Sequence, residues 1–468
     1  MKGRMHKILS EDNNYPQNDS TECDSYEGVQ TFIGITENHL VEVKLTSENL
    51  LEEIFSTINL NRAYKQVMRN AGAGGIDKME VENLQPYLKL HKDDLLESLF
   101  IGRYTPCPVR RVDIPKGNGK TRPLGIPTVV DRLIQQAISQ VLTRIYDPTF
   151  SCCSFGFRPN KGCHDALRKV QAHVDLGYKY AIDLDLEKFF DTVNHSKLIR
   201  ILSRTIKDNR LISLIHKYLN AGVIVSSKFE ETHEGVPQGG PLSPILSNIM
   251  LNEIDKELTK RGHKFVRYAD DCMILCKSKR SAVRAQSSIV RYLETKLQLK
   301  VNKEKTKVGY IRGLKFLGYS FYVYRGECRL SLHKLSLQKM KSKLKELTSR
   351  SNGMGYEHRK FKLNQYIQGW ISYYKLADMK SHLQSIDEWL RRRIRMCIWK
   401  YWKKIKTKLT NLVKCGIDKS QAWEWANTRK SYWHTSKSYI LHIAITNENL
   451  SQAGYPFLSE YYSKFYRK

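Results

Sequence analysis

The sequence predicts an α+β fold: a unit of mixed strands and helices, followed by a basic helical block. Three observations predict it. Strand-like apolar runs, two of them carrying aspartates, fall before residue 333. Apolar residues at helical spacing dominate after that point. The charge follows the same division: residues 334–410 hold 20 basic and 5 acidic residues, about half of the chain's net +31.

Each element has its own signal. Residues 1–43 hold 3 basic and 8 acidic residues and are rich in Asn, Asp and Ser, so they predict a mobile acidic tail. Folded structure is expected from about Thr46. Arg111–Pro115 and Thr121–Leu124 flank Lys116-Gly-Asn-Gly-Lys120, the pattern of a hairpin. From Val130 to Ile145 an apolar stripe at helical period predicts a helix, with Thr128 and Asp131 as a capping box. Tyr180–Leu186 and Lys264–Cys276 are strand-like. Leu363, Tyr366, Ile367, Trp370, Ile371 and Tyr374 form a second helical stripe. The expected units are 1–43, 44–333, 334–410 and 411–468.

Composition narrows the function classes. A chain of 468 residues that is 41% hydrophobic can bury real cores. A net charge of +31 points to a polyanion, and nucleic acid fits best. No run of 18 apolar residues occurs, and the N-terminus has no apolar signal core, so no membrane partner is expected. The ten cysteines form no C-x-x-C pair, which suits reduced cytoplasmic thiols rather than zinc or a disulfide scaffold.

The chemistry concentrates in carboxylates. Tyr268-Ala-Asp-Asp271 lies between two apolar arms, which predicts a hairpin with Asp270 and Asp271 at its tip. Adjacent like charges repel unless a cation sits beside them, and hard oxygen ligands suit Mg²⁺. A solvated turn is the bland alternative. In Tyr180-Ala-Ile-Asp-Leu-Asp-Leu-Glu-Lys-Phe-Phe-Asp191, Asp183 and Asp185 share one strand face. One carboxylate there and the pair on the hairpin are enough for two metals and in-line phosphoryl transfer. On residue chemistry alone Asp183, Asp185 and Asp191 all remain open. Lys116 and Arg122 are placed to clamp a triphosphate. A P-loop is rejected, because its first glycine falls on Ile114. Gln238 lies in a glycine-rich loop suited to close approach by a ligand. The arginines Arg391, Arg392, Arg393 and Arg395 crowd little more than one helical turn and are expected to be mostly exposed, as RNA contacts.

Together these segments resemble the reverse transcriptase–maturases encoded by group II introns, over roughly residues 46–465. The blocks run in family order: Val112-Asp-Ile-Pro-Lys116 with Thr121-Arg-Pro-Leu-Gly-Ile-Pro127; Phe155-Gly-Phe-Arg-Pro159; Ile182–Asp191; Gly235–Pro244; Tyr268–Asp271; Leu299–Thr306; and Leu314–Gly318. Leu363–Trp370 resembles the maturase or thumb region, and Leu441–Asn447 the DNA-binding tail. The resemblance implies a right-hand polymerase: fingers and palm over 44–333, a helical thumb (maturase) domain over 334–410, and a small C-terminal DNA-binding domain. It also implies Asp185, Asp270 and Asp271 as ligands of two Mg²⁺ ions, with Mn²⁺ as a substitute. Lys116, Arg122, Gln238 and Lys305 become nucleotide contacts, and Phe190 the bulky gate under the sugar. Implied partners are group II intron RNA, an RNA template with a DNA primer, target DNA and dNTPs, with a homodimer left open; implied location is the bacterial cytoplasm, at the nucleoid. The similarity is greatest to compact forms without an endonuclease domain. A splicing-only maturase and a defence or diversity-generating reverse transcriptase are the alternatives. Lys78 stands where the family often has Gly, Phe155 where Tyr is common, and the acidic start has no counterpart.

Overall fold

The computed structural model describes residues 31–36, 39–44, 49–117 and 120–465. Most of the expected acidic tail lies outside the described residues. Where it is described, it departs from expectation: Thr31–Thr36 and His39–Lys44 pair antiparallel, Thr31 opposite Lys44. Apolar and β-branched residues in TFIGIT and HLVEVK favour extended backbone and outweigh the local acidity.

The fingers begin with helices Leu50–Ile54, Thr57–Asn70 and Leu84–Phe100. A sheet follows in the order Lys120–Ile126, Val109–Gly117, Val223–Val225, Lys228–Glu230. Its first two strands are the expected hairpin, with Val112 opposite Leu124. The expected helix spans Val129–Tyr146. Thr128 caps it, accepting a hydrogen bond from the Asp131 amide. The reciprocal half of the capping box is absent. The Asp131 carboxylate turns inward and accepts from Tyr104 Oη at 2.8 Å, Tyr218 Oη at 3.1 Å and the Cys107 amide at 3.2 Å.

The palm is an antiparallel sheet in the order Lys307–Tyr310, Tyr180–Leu184, Asp271–Cys276, Lys264–Tyr268. Strand alternation sends its side chains into two cores. Ile182, Leu184, Cys272 and Ile274 join the core shared with helices Val129–Tyr146, His195–Thr205, Asn209–Leu219 and Ser243–Lys260. Ala181, Met273 and Leu275 face a second core. That core takes in helix Cys163–Asp175, the three-stranded sheet Lys315–Phe316, Tyr319–Tyr324, Glu327–Leu332, and the helices beyond.

From Lys334 the described chain is helical. Helices Lys334–Leu347, Tyr356–Tyr374 and Lys380–Tyr401 pack together through Met340, Leu344, Leu363, Ile367, Leu390 and Ile394. The same core runs on through Leu412, Trp425, Leu441 and Phe457, with no apolar break at residue 410. Among the described residues no helix is long and apolar enough to cross a membrane.

Candidate active site

The site is built from the palm register. Leu184 pairs with Cys272 as the last pair of the ladder, and Asp185 and Asp271 are the residues that flank it. Asp183, Asp185, Asp271 and Met273 belong to one face of the sheet. Tyr268 pairs with Asp271, which leaves Ala269 and Asp270 as a two-residue turn. The expected carboxylate-tipped hairpin is therefore present. Asp185 and Asp270 are partly exposed and Asp271 is exposed.

The electrostatics show how crowded this charge is. The Asp183 carboxyl is pushed up to about 6, first by burial and then by the charges of Asp271 and Asp185. Lys305 Nζ stands 3.2 Å from Asp185 Oδ2. Among the described residues no three His, Cys, Asp or Glu side chains converge closely enough to close a metal cage by themselves. The donor set still fits Mg²⁺, which takes one or two carboxylates and fills its shell with water and substrate phosphate.

The tip is held by residues the sequence reading passed over. Ala269 has φ +57°, a left-handed conformation that costs an L-residue about 1–2 kcal/mol. Arg267, 1% exposed, donates to Ala269 O at 3.0 Å and to Asn248 Oδ1 at 2.9 Å, and pairs with Asp255 at 2.6 Å. Asn248 Nδ2 donates to Gly156 O at 2.9 Å. A Cβ on Gly156 would stand 2.2 Å from the Ala269 nitrogen, so only glycine lets this segment lie against the turn. Their sequence signal was polar residues in apolar company: Asn248 and Asp255 within helix Ser243–Lys260, and Arg267 within a strand arm.

A cleft of about 500 Å³ lies along the strands Val109–Gly117 and Lys120–Ile126, lined by Arg111, Pro123, Leu124, Phe190, Val236 and Gln238, among others. Arg122 Nε donates to Gln238 Oε1 at 2.6 Å, so two expected nucleotide contacts meet. Gly235, at φ +95°, passes so close to Phe190 that a Cβ would lie 2.9 Å from its carbonyl oxygen. Both rings belong to the first core, Phe189 2% and Phe190 7% exposed, and Phe190 also lines the cleft. Asp191 also lines the cleft; burial pushes its carboxyl up, and Lys188, Arg111 and Arg122 oppose that. Lys305 lies apart, on Asp185. The side chain of Lys116 lies outside the described residues.

The arginine cluster is a correction. Arg393 and Arg395 are buried, and Arg391 and Arg392 are partly buried. Arg393 donates to Thr348 Oγ1, Thr348 O and Lys345 O at 2.6, 3.0 and 3.0 Å. Arg395 donates to Ile445 O at 2.8 Å and Asn447 Oδ1 at 2.9 Å. Arg392 lies 3.7 Å over the Trp433 ring and donates to Trp433 O; Arg391 stacks on Phe457. These carbonyls sit at helix C-terminal ends, where they lack intrahelical donors. Exposure was expected because four guanidinium groups seemed too many for a core, but here helix ends surround their helix and supply the acceptors.

Comparison with known proteins agrees with this geometry. Residues 114–321 match the family model described as "Reverse transcriptase (RNA-dependent DNA polymerase)", and residues 337–416 match "Group II intron, maturase-specific domain". Protein YkfC of Escherichia coli is 36% identical over 290 residues, 54% of this chain and 76% of that protein. Group II intron-encoded protein LtrA of Lactococcus lactis subsp. cremoris is 30% identical over 329 residues, 56% of this chain and 55% of that protein. The match thus spans about half the length of the lactococcal relative. Among solved structures, a chain of a partial Cas6-RT-Cas1–Cas2 complex aligns with TM-score 0.35 and 24% identity, covering 55% of this chain and 45% of that one. By the two domains and their order, the chain belongs to the group II intron-encoded reverse transcriptase–maturases, a family of RNA-directed DNA polymerases.

Proposed function

We propose that the chain copies RNA into DNA on Asp185, Asp270 and Asp271, with two Mg²⁺ ions (or Mn²⁺ in their place), and that it binds its intron RNA to assist folding, splicing and target-primed mobility. The observation that supports the reading is the palm register: Leu184 pairs with Cys272 and Tyr268 with Asp271, so Asp185 and Asp271 follow at neighbouring strand ends, and both charges act on Asp183. Divalent cations supply charge to activate the primer 3′-hydroxyl and stabilise the leaving pyrophosphate. The chain's own work is positioning. Arg267 and Gly156 fix the carboxylate turn. Arg122 and Gln238 hold one wall of the nucleotide cleft, and Phe190 closes the space under the sugar. We assign fingers and palm to 44–333, thumb to 334–410 and a region contacting target DNA to 411–468.

The test is substitution of the carboxylates. Asp270→Asn or Asp271→Asn abolishes primer extension on an RNA template in Mg²⁺ and leaves RNA affinity near the wild-type value. Near-normal extension by either variant rejects the site.

A further inference from the structure

The segment after Leu299 is bonded to the backbone of Asp185 from both sides. The Asn302 amide donates to Asp185 O at 2.9 Å, and the Asp185 amide donates to Thr306 Oγ1 at 3.2 Å. One residue pair farther on, the Glu187 amide donates to Lys300 O at 2.8 Å. Asn302 also closes the turn on itself, accepting from the Thr306 amide at its carbonyl and from the Lys305 amide at Oδ1. Lys305 is therefore presented from a turn whose position is set by Asp185.

Its ammonium uses that position: Nζ lies 3.2 Å from Asp185 Oδ2. Burial does not force the pairing, because the Lys305 side chain is 63% exposed. The demand comes from the other side. Asp185 shares its sheet face with Asp183 and Asp271, and Asp270 follows at the turn. A single ammonium held there offsets part of that repulsion.

We propose that Lys305 is an exchangeable counterion of the carboxylate cluster: it neutralises Asp185 when no divalent cation is bound, and leaves it when one binds. This rests on the metal reading given above. The physical basis is competition, because one carboxylate cannot be fully neutralised by an ammonium and a divalent ion at once. The lysine that leaves stays tethered by residues 302–306 beside the carboxylates. There it faces the anionic phosphates of a nucleotide held at the same cluster, so loading the metal and freeing a phosphate-binding cation become one event. Expected as a nucleotide contact, Lys305 thus has a second partner in Asp185.

The experiment is a titration of the full-length protein with Mn²⁺, without primer or nucleotide, reading free Mn²⁺ by electron paramagnetic resonance. Removing the competitor strengthens binding, so Lys305→Gln lowers the Kd by roughly 1.5- to fivefold, the range for a partly screened pair. Lys305→Arg keeps the charge and stays near wild type. Asp185→Asn weakens binding whatever stands at 305. An unchanged or raised Kd in Lys305→Gln, with Asp185→Asn still weakening binding, overturns the exchange and leaves the metal site standing. Unchanged binding in Asp185→Asn overturns both.

Discussion

Phe189 and Phe190 show how adjacent side chains take separate tasks. Lys188, at φ +44°, turns the chain out of the strand, and the two rings meet edge to face at 5.3 Å. Both pack in the first core, and Phe190 alone of the two also lines the cleft. Replacing Phe190 with Val opens space for a 2′-hydroxyl and raises the ribo-to-deoxy ratio of kcat/KM at least about tenfold, or 1.4 kcal/mol. Phe189→Ala instead leaves a cavity and costs about 3–5 kcal/mol of stability with the ratio unchanged. Single-nucleotide incorporation with matched dNTP and rNTP, beside a denaturation curve, separates the two. Gly156 supports the chemistry from outside the cleft. In Gly156→Ala the new methyl meets the Ala269 nitrogen, and the carboxylate turn must shift. A displacement near 1 Å costs roughly a hundredfold in rate. Wild-type primer-extension rates in this variant would show that the turn does not need that contact.

At the scale of elements, helix Lys380–Tyr401 ties the last third of the chain together. Its arginines serve the C-terminal ends of neighbouring helices, while Asp387 accepts from the Leu458 and Ser459 amides at the start of helix Leu458–Ser463, both at 2.8 Å. Arg393→Ala or Arg395→Ala strips buried carbonyls of charged donors and costs about 2–4 kcal/mol, measured by chemical denaturation. Neither changes the salt dependence of RNA binding. Solvated cations are found on helix Lys334–Leu347, where Lys339, Lys341 and Lys345 are exposed. Changing these three to Gln lowers the log–log salt slope of RNA affinity by about 2–3, at roughly 0.7–0.9 per phosphate contact. A slope that follows the arginines and ignores the lysines would reverse this assignment.

For the whole molecule, the palm sheet divides two cores, and a buried histidine on helix Cys163–Asp175 sets a pH response. His173, 6% exposed, is depressed to about 4 by burial first and then by Lys169 and Lys264. A histidine ordinarily near 6.5 takes up its proton more readily unfolded than folded across this window. Its contribution is therefore present above pH 6.5 and is lost as pH falls toward 4. The loss amounts to roughly 3 kcal/mol at most. Asp183, raised to about 6, acts in the opposite sense: its folded form binds the proton first, and that gains stability as pH falls through 6. His173→Gln should remove this contribution, so that the variant loses less stability than the wild type between pH 6.5 and 4 in denaturation curves. An equal decline in the variant would place the titration elsewhere.

The sequence by itself determined the α+β order, the hairpin at residues 264–276, the helix near 129–146 and the pair Asp270-Asp271, because each rests on local periodicity or on neighbours in the chain. It also placed Phe190 and Gln238, which the fold brings to one cleft, through motifs of fixed spacing. Only the tertiary structure decided which groups face one another. The pairing of Arg122 with Gln238 spans 116 residues, that of Lys305 with Asp185 spans 120, and both follow from sheet register and loop docking. The buried Arg267–Asp255–Asn248 support and the inward arginines of helix Lys380–Tyr401 were hidden for the same reason. A charged side chain reads as exposed until the acceptors that surround it, contributed by distant helix ends and strand edges, are in place.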